Sequence, residues 1–306
     1  MAPESSSMAD DAEFHIFVAY RGRACKYREC FFNCFCRTTE LLHSIFLSTD
    51  TMSASSVEMK REGTTWAPAV RGLQPICAPS ILSADFALLA PDVKLVHDAG
   101  AEWIHVDVFD GNFVPNLTIG PPVVKAIRKH CPDAFLDCHL CVLNPENYVE
   151  DMKKAGASQF TFHWEARGVD ESLDQAKELI KAVKDAGMQV GCALAPETPA
   201  DVLFPLVDEG LLDTVLLMSV RPGFGGQKFM ASVLPKVEAL RKRNATMNVQ
   251  VDGGITLENA KDVALAGANV LVAGSTVYSA SSPPPSQVRS LVNLISEGLA
   301  ESRNFE

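Results

Sequence analysis

The chain has 306 residues, 47% hydrophobic and 21% charged, which is enough apolar material for one large packed domain with a tail or for two ordinary domains. Its formal net charge of −11 removes the electrostatic case for nucleic acid or an anionic membrane as main partner, and it has no apolar run of the roughly 18 residues that a membrane span needs. Nine cysteines, an odd number scattered mostly through apolar runs, do not read as a disulfide framework and point to a reducing compartment.

Residues 1–72 carry no sustained helical or strand period. Their acidic start (Glu4, Asp10, Asp11, Glu13) holds no basic residue, unlike a signal or transit peptide. The expected location is therefore the cytoplasm, with a plastid or another organelle as the alternative if the tail is a targeting segment. A basic, aromatic stretch follows and contains Cys25, Cys30, Cys34 and Cys36, whose spacing is not that of a zinc finger. A Ser/Thr-rich stretch then runs to about Ser56. The whole segment reads as a disordered extension, and Met52 and Met59 leave a later start open.

The pattern changes at Pro75. Short apolar runs at 76–82, 103–108, 135–142, 159–164, 189–194, 214–220, 248–251 and 269–273 read as strands buried on both faces. Helical candidates such as 170–185 and 257–265 lie between them. Five helices run into a glycine (Gly100, Gly156, Gly187, Gly210, Gly267), which suits the left-handed position after a helix. Ala-Gly-Ala recurs at 99–101, 155–157 and 266–268, each time just before a strand. Eight βα units in this length predict an α/β fold, a (β/α)8 TIM barrel over 73–306. A doubly wound open sheet is the competing reading.

Active-site groups of such a barrel sit at the C-terminal strand ends. The second strand supplies His105 and Asp107, two apart and so on one face. The third supplies His139 and the seventh Asp252. Two imidazoles and two carboxylates converging on one interior make a plausible cage for a divalent metal, Zn, Fe(II), Mn or Co. Without a cation, two ionised aspartates there would repel, and one should hold its proton. Glycine-rich pieces at three adjacent strand ends (Gly223, Phe224, Gly225 and Gly226; Gly253 and Gly254; Gly274 with Ser275) suit a phosphate, whose oxygens bare backbone N–H groups can approach. Ser80 is read as a substrate contact and Met218 as a wall of the pocket. His163 and Glu165 are read as structural, and His97 and His130 as solvated surface.

The segments Pro79–Asp85, His105–Asn116, Pro222–Phe229 and Val251–Ile255 resemble the signature segments of ribulose-phosphate 3-epimerases, and the resemblance covers the barrel, about Leu73 to Leu299, and none of the tail. It implies interconversion of D-ribulose 5-phosphate and D-xylulose 5-phosphate in the pentose phosphate pathway. It further implies one divalent metal held by His105, Asp107, His139 and Asp252, with Asp107 and Asp252 as the acid/base pair. Substrate contacts would come from Ser80, His139, Met218 and the three glycine segments. Phe109 and Cys141 stand where the family usually has methionine, and Arg221 replaces an often acidic or neutral residue before the glycine loop. The alternatives are an epimerase for a hexulose 6-phosphate and a catalytically weak barrel that binds a phosphate ligand. Assembly into a homo-oligomer is left open.

Overall fold

The structure, a computed structural model, describes residues 68–303 except 167, 168, 170, 171, 225 and 280–282. The expectations for the tail lie outside the described residues apart from its last five. Val70 and Leu73 exchange backbone hydrogen bonds (2.8 and 2.9 Å) and lead into the barrel.

Eight strands follow in order: β1 (Ile76–Pro79), β2 (Trp103–Phe109), β3 (Phe135–Cys141), β4 (Gln159–His163), β5 (Gln189–Leu194), β6 (Thr214–Met218), β7 (Asn248–Asp252) and β8 (Val270–Ala273). All pair in parallel in the order β1-β8-β7-β6-β5-β4-β3-β2. A parallel bridge from Ser80 to His105 joins the two ends, so the sheet closes as a (β/α)8 barrel. The helices α1 (Leu89–Asp98), α2 (Pro121–His130), α3 (Val149–Ala155), α4 (Leu173–Asp185), α5 (Phe204–Asp208), α6 (Leu234–Arg243), α7 (Ala260–Leu265), α8 (Ser275–Tyr278) and α9 (Pro284–Glu301) lie among and after the strands.

Every run expected to be a strand is one, and the differences are at the ends. β1 stops at Pro79 because Ser80 opens a three-ten turn, its Oγ accepting from the Leu82 N–H. Asn269 lies just before β8, keeps backbone bonds to Ile76 and Val249, and adds its side chain, accepting from the Val249 N–H and donating to the Gln74 carbonyl. α4 begins at Leu173 because Ser172 caps it, its Oγ accepting from the Gln175 N–H at 3.2 Å.

The interior is layered. At the N-terminal mouth, Ile76, Ala78, Trp103, Val270 and Val272 pack together with Phe135, whose ring stacks on Trp103 at 4.3 Å. The larger apolar cluster fills the space between sheet and helices. Above the apolar floor the inward residues turn polar, as described below.

Two of the three Ala-Gly-Ala repeats mark a shared device. Arg241 on α6 is buried and reaches the end of α7, donating to the carbonyls of Gly267, Asn244 and Met247 and to the Asn269 side chain. Arg128 on α2 does the same at the end of α3, donating to the carbonyls of Gly156, Pro132 and Ala134 and to Ser158 Oγ. Each arginine thus ties consecutive βα units at the bottom of the barrel, away from the strand ends that carry chemistry. Arg241→Met strands several buried carbonyls and should destabilise the fold by roughly 3 kcal/mol or more, read as a lower urea midpoint. A midpoint equal to wild type would show that water replaces the guanidinium freely.

Candidate active site

His105 and Asp107 on β2, His139 on β3 and Asp252 on β7 come together at the C-terminal mouth. One donor atom from each lies within 4.8 Å of the others. His139 Nδ1 is 3.1 Å from Asp107 Oδ1 and 4.0 Å from Asp252 Oδ2. His105 Nε2 is 3.4 Å from Asp107 Oδ1 and 3.8 Å from Asp252 Oδ2. Both histidines are fully buried, and Asp107 nearly so.

The hydrogen bonds behind the two imidazoles assign their tautomers. His105 Nδ1 is 2.7 Å from Asp137 Oδ2, so it carries the proton. Its Nε2 then faces two carboxylates, buried and without a hydrogen-bond partner. His163 Nδ1 is 3.1 Å from Glu165 Oε2, and Glu165 is fixed in turn by the Ala195 N–H and the Thr198 hydroxyl. Burial pushes His163 down to about 4, so it is neutral, with a lone pair on Nε2. That lone pair lies 2.9 Å from His139 Nε2, so the His139 proton sits on Nε2 and its Nδ1 is bare toward Asp107. Two bare imidazole nitrogens and two carboxylates pointing at one another repel unless a proton or a cation lies among them. The donor set therefore fits a divalent metal of borderline softness.

The electrostatics of the protein alone give the same picture. Burial disfavours charge on His105, but the adjacent Asp107 and Asp137 carboxylates outweigh it and raise the imidazole well above its usual value. Asp107 is desolvated yet held far below the usual carboxylate range, chiefly by the charge of the adjacent His105. Burial pushes Asp252 up to about 7, with Asp107 and Asp137 adding to the rise against the pull of His105. Two neighbouring carboxyls therefore hold opposite protonation states near neutrality.

Sequence reading missed the layer beneath. Asp137, in register with His105 across β2 and β3, is fully buried and accepts from Gln250, Gln159 and Thr161 as well as His105. Gln159 accepts in turn from Thr214. Asp137 is two residues before His139, so the period-two pattern that found His105 and Asp107 could have found it. His163 was read as structural, but the fold brings it against His139. His97 was read as solvated surface; its Nδ1 instead meets the Ala101 carbonyl at 3.0 Å, half-buried where α1 runs into β2. His130 is exposed, as expected.

An open cleft of about 630 Å3 lies above the cluster. Ser80, Met218, Gly223, Phe224, Gly226, Gly253, Gly254, Gly274 and Ser275 all line it, and Gly225 lies outside the described residues. Phe109 and Cys141 line it too, as their same-face spacing from Asp107 and His139 implies. Ser80 Oγ donates to Asp107 Oδ2 at 2.7 Å. Gly253 and Gly254 have φ of 117° and 62°, and a Cβ at either would strike Val220 at 2.5 Å or the Phe229 N–H nitrogen at 2.4 Å. Asn116 holds the glycine loop through the Gly223 carbonyl (2.8 Å), and Gln227 donates to the carbonyls of Arg221 and Phe224. Arg221 pairs with Glu197 at 2.7 Å on the exposed rim.

Fold and cluster together define a (β/α)8 barrel whose C-terminal mouth carries a metal-competent pair of histidines and aspartates beneath a glycine-lined cleft. Residues 76–278 match the profile of the Ribulose-phosphate 3 epimerase family, and the chain belongs to that family. The ribulose-phosphate 3-epimerase of Schizosaccharomyces pombe is 51% identical over 213 residues, 69% of this chain and 90% of the relative. That of Bacillus subtilis is 46% identical over 206 residues, 66% of this chain and 91% of the relative. Relatives include a cytoplasmic isoform from Oryza sativa and a chloroplastic protein from Arabidopsis thaliana. Among solved structures, KGPDC from Streptococcus mutans superposes with a TM-score of 0.56, covering 72% of this chain and 97% of that one, at 16% identity; this likeness concerns the fold alone. Among the described residues, no helix is long and apolar enough to cross a membrane.

The support behind the cluster can be tested directly. Asp137→Asn leaves His105 without its anionic acceptor and should weaken divalent-metal affinity about 10- to 100-fold, measured by competition with a chromogenic chelator. Unchanged affinity would remove Asp137 from any role behind the cluster. Asp110, in the turn after β2, accepts from the backbone N–H groups of Leu143, Phe113 and Asn112, which lower its carboxyl despite partial burial. A lowered folded-state value means stability that is present above the unfolded carboxylate range and lost as pH falls through the folded value. The thermal midpoint of Asp110→Asn should thus fall below wild type near neutrality, and the gap should close on acidification below about pH 4; a gap independent of pH would exclude the carboxylate as its source.

Proposed function

We infer that the chain carries the activity for which its relatives are named, the epimerisation at C3 that interconverts D-ribulose 5-phosphate and D-xylulose 5-phosphate in the pentose phosphate pathway. The observation that carries the reading is the convergence of Asp107 and Asp252 with His105 and His139 at the C-terminal mouth, one donor atom of each within 4.8 Å of the others. Inverting a carbon next to a ketone requires removal of a proton from one face and delivery of a proton to the other. One carboxyl cannot serve both faces, so two are needed. β2 and β7 stand three strands apart around the ring, which supports an approach of Asp107 and Asp252 from two sides. In one direction ionised Asp107 takes the C3 proton and protonated Asp252 supplies one to the other face; the reverse reaction exchanges the roles.

His105, Asp107, His139 and Asp252 would hold one divalent ion, and a mixed imidazole and carboxylate set suits Zn, Fe(II), Mn or Co. Such an ion supplies Lewis-acid stabilisation of the negative charge that develops on neighbouring oxygens, worth several kcal/mol by its usual magnitude. Ser80 fixes the rotamer of Asp107 through its hydroxyl. Met218, Phe109 and Cys141 wall the reacting carbon and keep water from returning the wrong proton. Gly223 to Gly226, Gly253, Gly254, Gly274 and Ser275 would hold the phosphate through backbone N–H groups.

Asp252→Asn and Asp107→Asn should each lower kcat by on the order of 10^2 to 10^4, and should abolish exchange of the substrate C3 proton with deuterated water in one direction. Turnover near the wild-type rate in either variant would sink the two-base mechanism. The substrate assignment is tested separately by comparing kcat/KM for five- and six-carbon ketose phosphates. A higher value for the six-carbon compound would replace it with the hexulose 6-phosphate reading.

A further inference from the structure

We propose that His139, Cys141 and His163 form a second cation site, selective for a soft, thiophilic ion, in the wall of the cleft beside the histidine–aspartate cluster. Three donor atoms from two adjacent strands converge there. The Nε2 atoms of His139 and His163 are 2.9 Å apart, and Cys141 Sγ is 3.4 Å from each. All three side chains are fully buried, and they satisfy the mutual spacing expected of a metal-holding group. Bonds of about 2.0 Å to nitrogen and 2.3 Å to sulfur seat an ion just off the plane of a triangle this size, with its sides opening by a few tenths of an ångström. Two nitrogens and a sulfur make a softer set than the two nitrogens and two carboxylates next to it, so the two groups favour different ions.

A second feature points the same way. The His163 ring is oriented from behind by Glu165, which the Ala195 N–H and Thr198 hydroxyl hold in place. A carboxylate on the far nitrogen is the arrangement that fixes a metal-binding imidazole and raises its basicity. His139 and Cys141 both line the cleft, which gives an ion its path in.

Binding breaks the S–H bond of Cys141, whose proton leaves to solvent as the sulfur bond to the ion forms. The proton between the two Nε2 atoms moves to His139 Nδ1, so both rings bind as neutral imidazoles, and no oxidant or reductant is involved. Because His139 belongs to both groups, an ion on its Nε2 leaves Nδ1 protonated and donating to Asp107 at 3.1 Å, no longer a donor to an ion in the cluster. Occupation of the triangle therefore inhibits the chemistry of the cluster.

The test uses the full-length protein as purified, titrated with cadmium beside Cys141→Ser and Glu165→Gln. Bound cadmium per chain after desalting and the near-ultraviolet thiolate-to-cadmium charge-transfer band are both read. The cysteines of the first 72 residues are the same in all three proteins and give an equal background. Wild type should bind one more cadmium than Cys141→Ser and show a correspondingly stronger band. Glu165→Gln keeps the thiol but should hold that ion at least about tenfold more weakly. The turnover rate, scaled to each protein's own cadmium-free rate, should fall in wild type as the extra ion binds and hold in Cys141→Ser at the same concentration. Equal cadmium content and equal bands in wild type and Cys141→Ser would mean binding at other cysteines only and would overturn the proposal. So would equal affinity in wild type and Glu165→Gln, a result that stands even if Cys141→Ser does not fold.

Discussion

The hydrogen bond from His105 Nδ1 to Asp137 is the constraint on which the mouth of this barrel depends. It commits the ring to one tautomer and leaves a buried lone pair aimed at two carboxylates. A buried imidazole so placed is costly unless positive charge compensates it, as a proton or as a cation. Asp137 is itself tolerated only because Gln250, Gln159 and Thr161 complete its coordination, and Thr214 completes that of Gln159. The polar layer is thus a support between an apolar floor and a reactive top, with Gln250 Oε1 its one buried atom left without a partner. Gly191 belongs to the same layer: a Cβ there would meet Thr161 Oγ1 at 2.3 Å, so the bare position on β5 makes room for the network.

What was legible in the sequence follows from how local each signal is. Strands buried on both faces are mostly apolar, without regular polar alternation, and all eight runs stood out for that reason. Glycine after a helix reports a positive φ of its own residue, and Gly100, Gly156, Gly187, Gly210 and Gly267 all have one. The cluster was legible because its residues sit at strand ends, where a barrel puts its chemistry. Asp137 was overlooked although it stands in register with His105, because its role as the acceptor behind that ring needs the β2–β3 pairing, which no sequence spacing states. The contact of His163 with His139 needs the β3–β4 register, in which His139 pairs with Thr161 and not with His163, and no sequence spacing states that. Arg128 and Arg241 read as ordinary basic residues at helix ends, because their partners lie one βα unit further along.

The two imidazoles of the cluster are served by different supports, and the difference is chemical. His105 is backed directly by a carboxylate. His139 is backed by a neutral imidazole, which is backed by a carboxylate one ring further away. The negative charge of Glu165 is felt at His139 only through the polarisation of His163. The asymmetry matches that of the carboxyls, Asp107 ionised between the two rings and Asp252 held up to about 7.

The charge of the chain poses a last problem. A protein of formal charge −11 binding a sugar phosphate ought to repel it at long range. The arginine that lines the cleft, Arg221, is committed to Glu197 on the rim and brings little net charge to the phosphate. On the proposed function, the attraction would be short-ranged, made by backbone N–H dipoles of the glycine segments, which act only on an anion already seated. That division explains why the glycines are constrained by their neighbours and not merely permissive. A side chain at Gly254 would run into the Phe229 backbone, and one at Gly253 into Val220, so both positions must stay bare. Affinity then depends on how well the anion fits fixed dipoles, and a ligand of the right charge but the wrong length gains little. On the proposed function, the same segments would set the height of the reacting carbon over the aspartates, so a phosphate cradle there would contribute to the choice of substrate as well as to its binding.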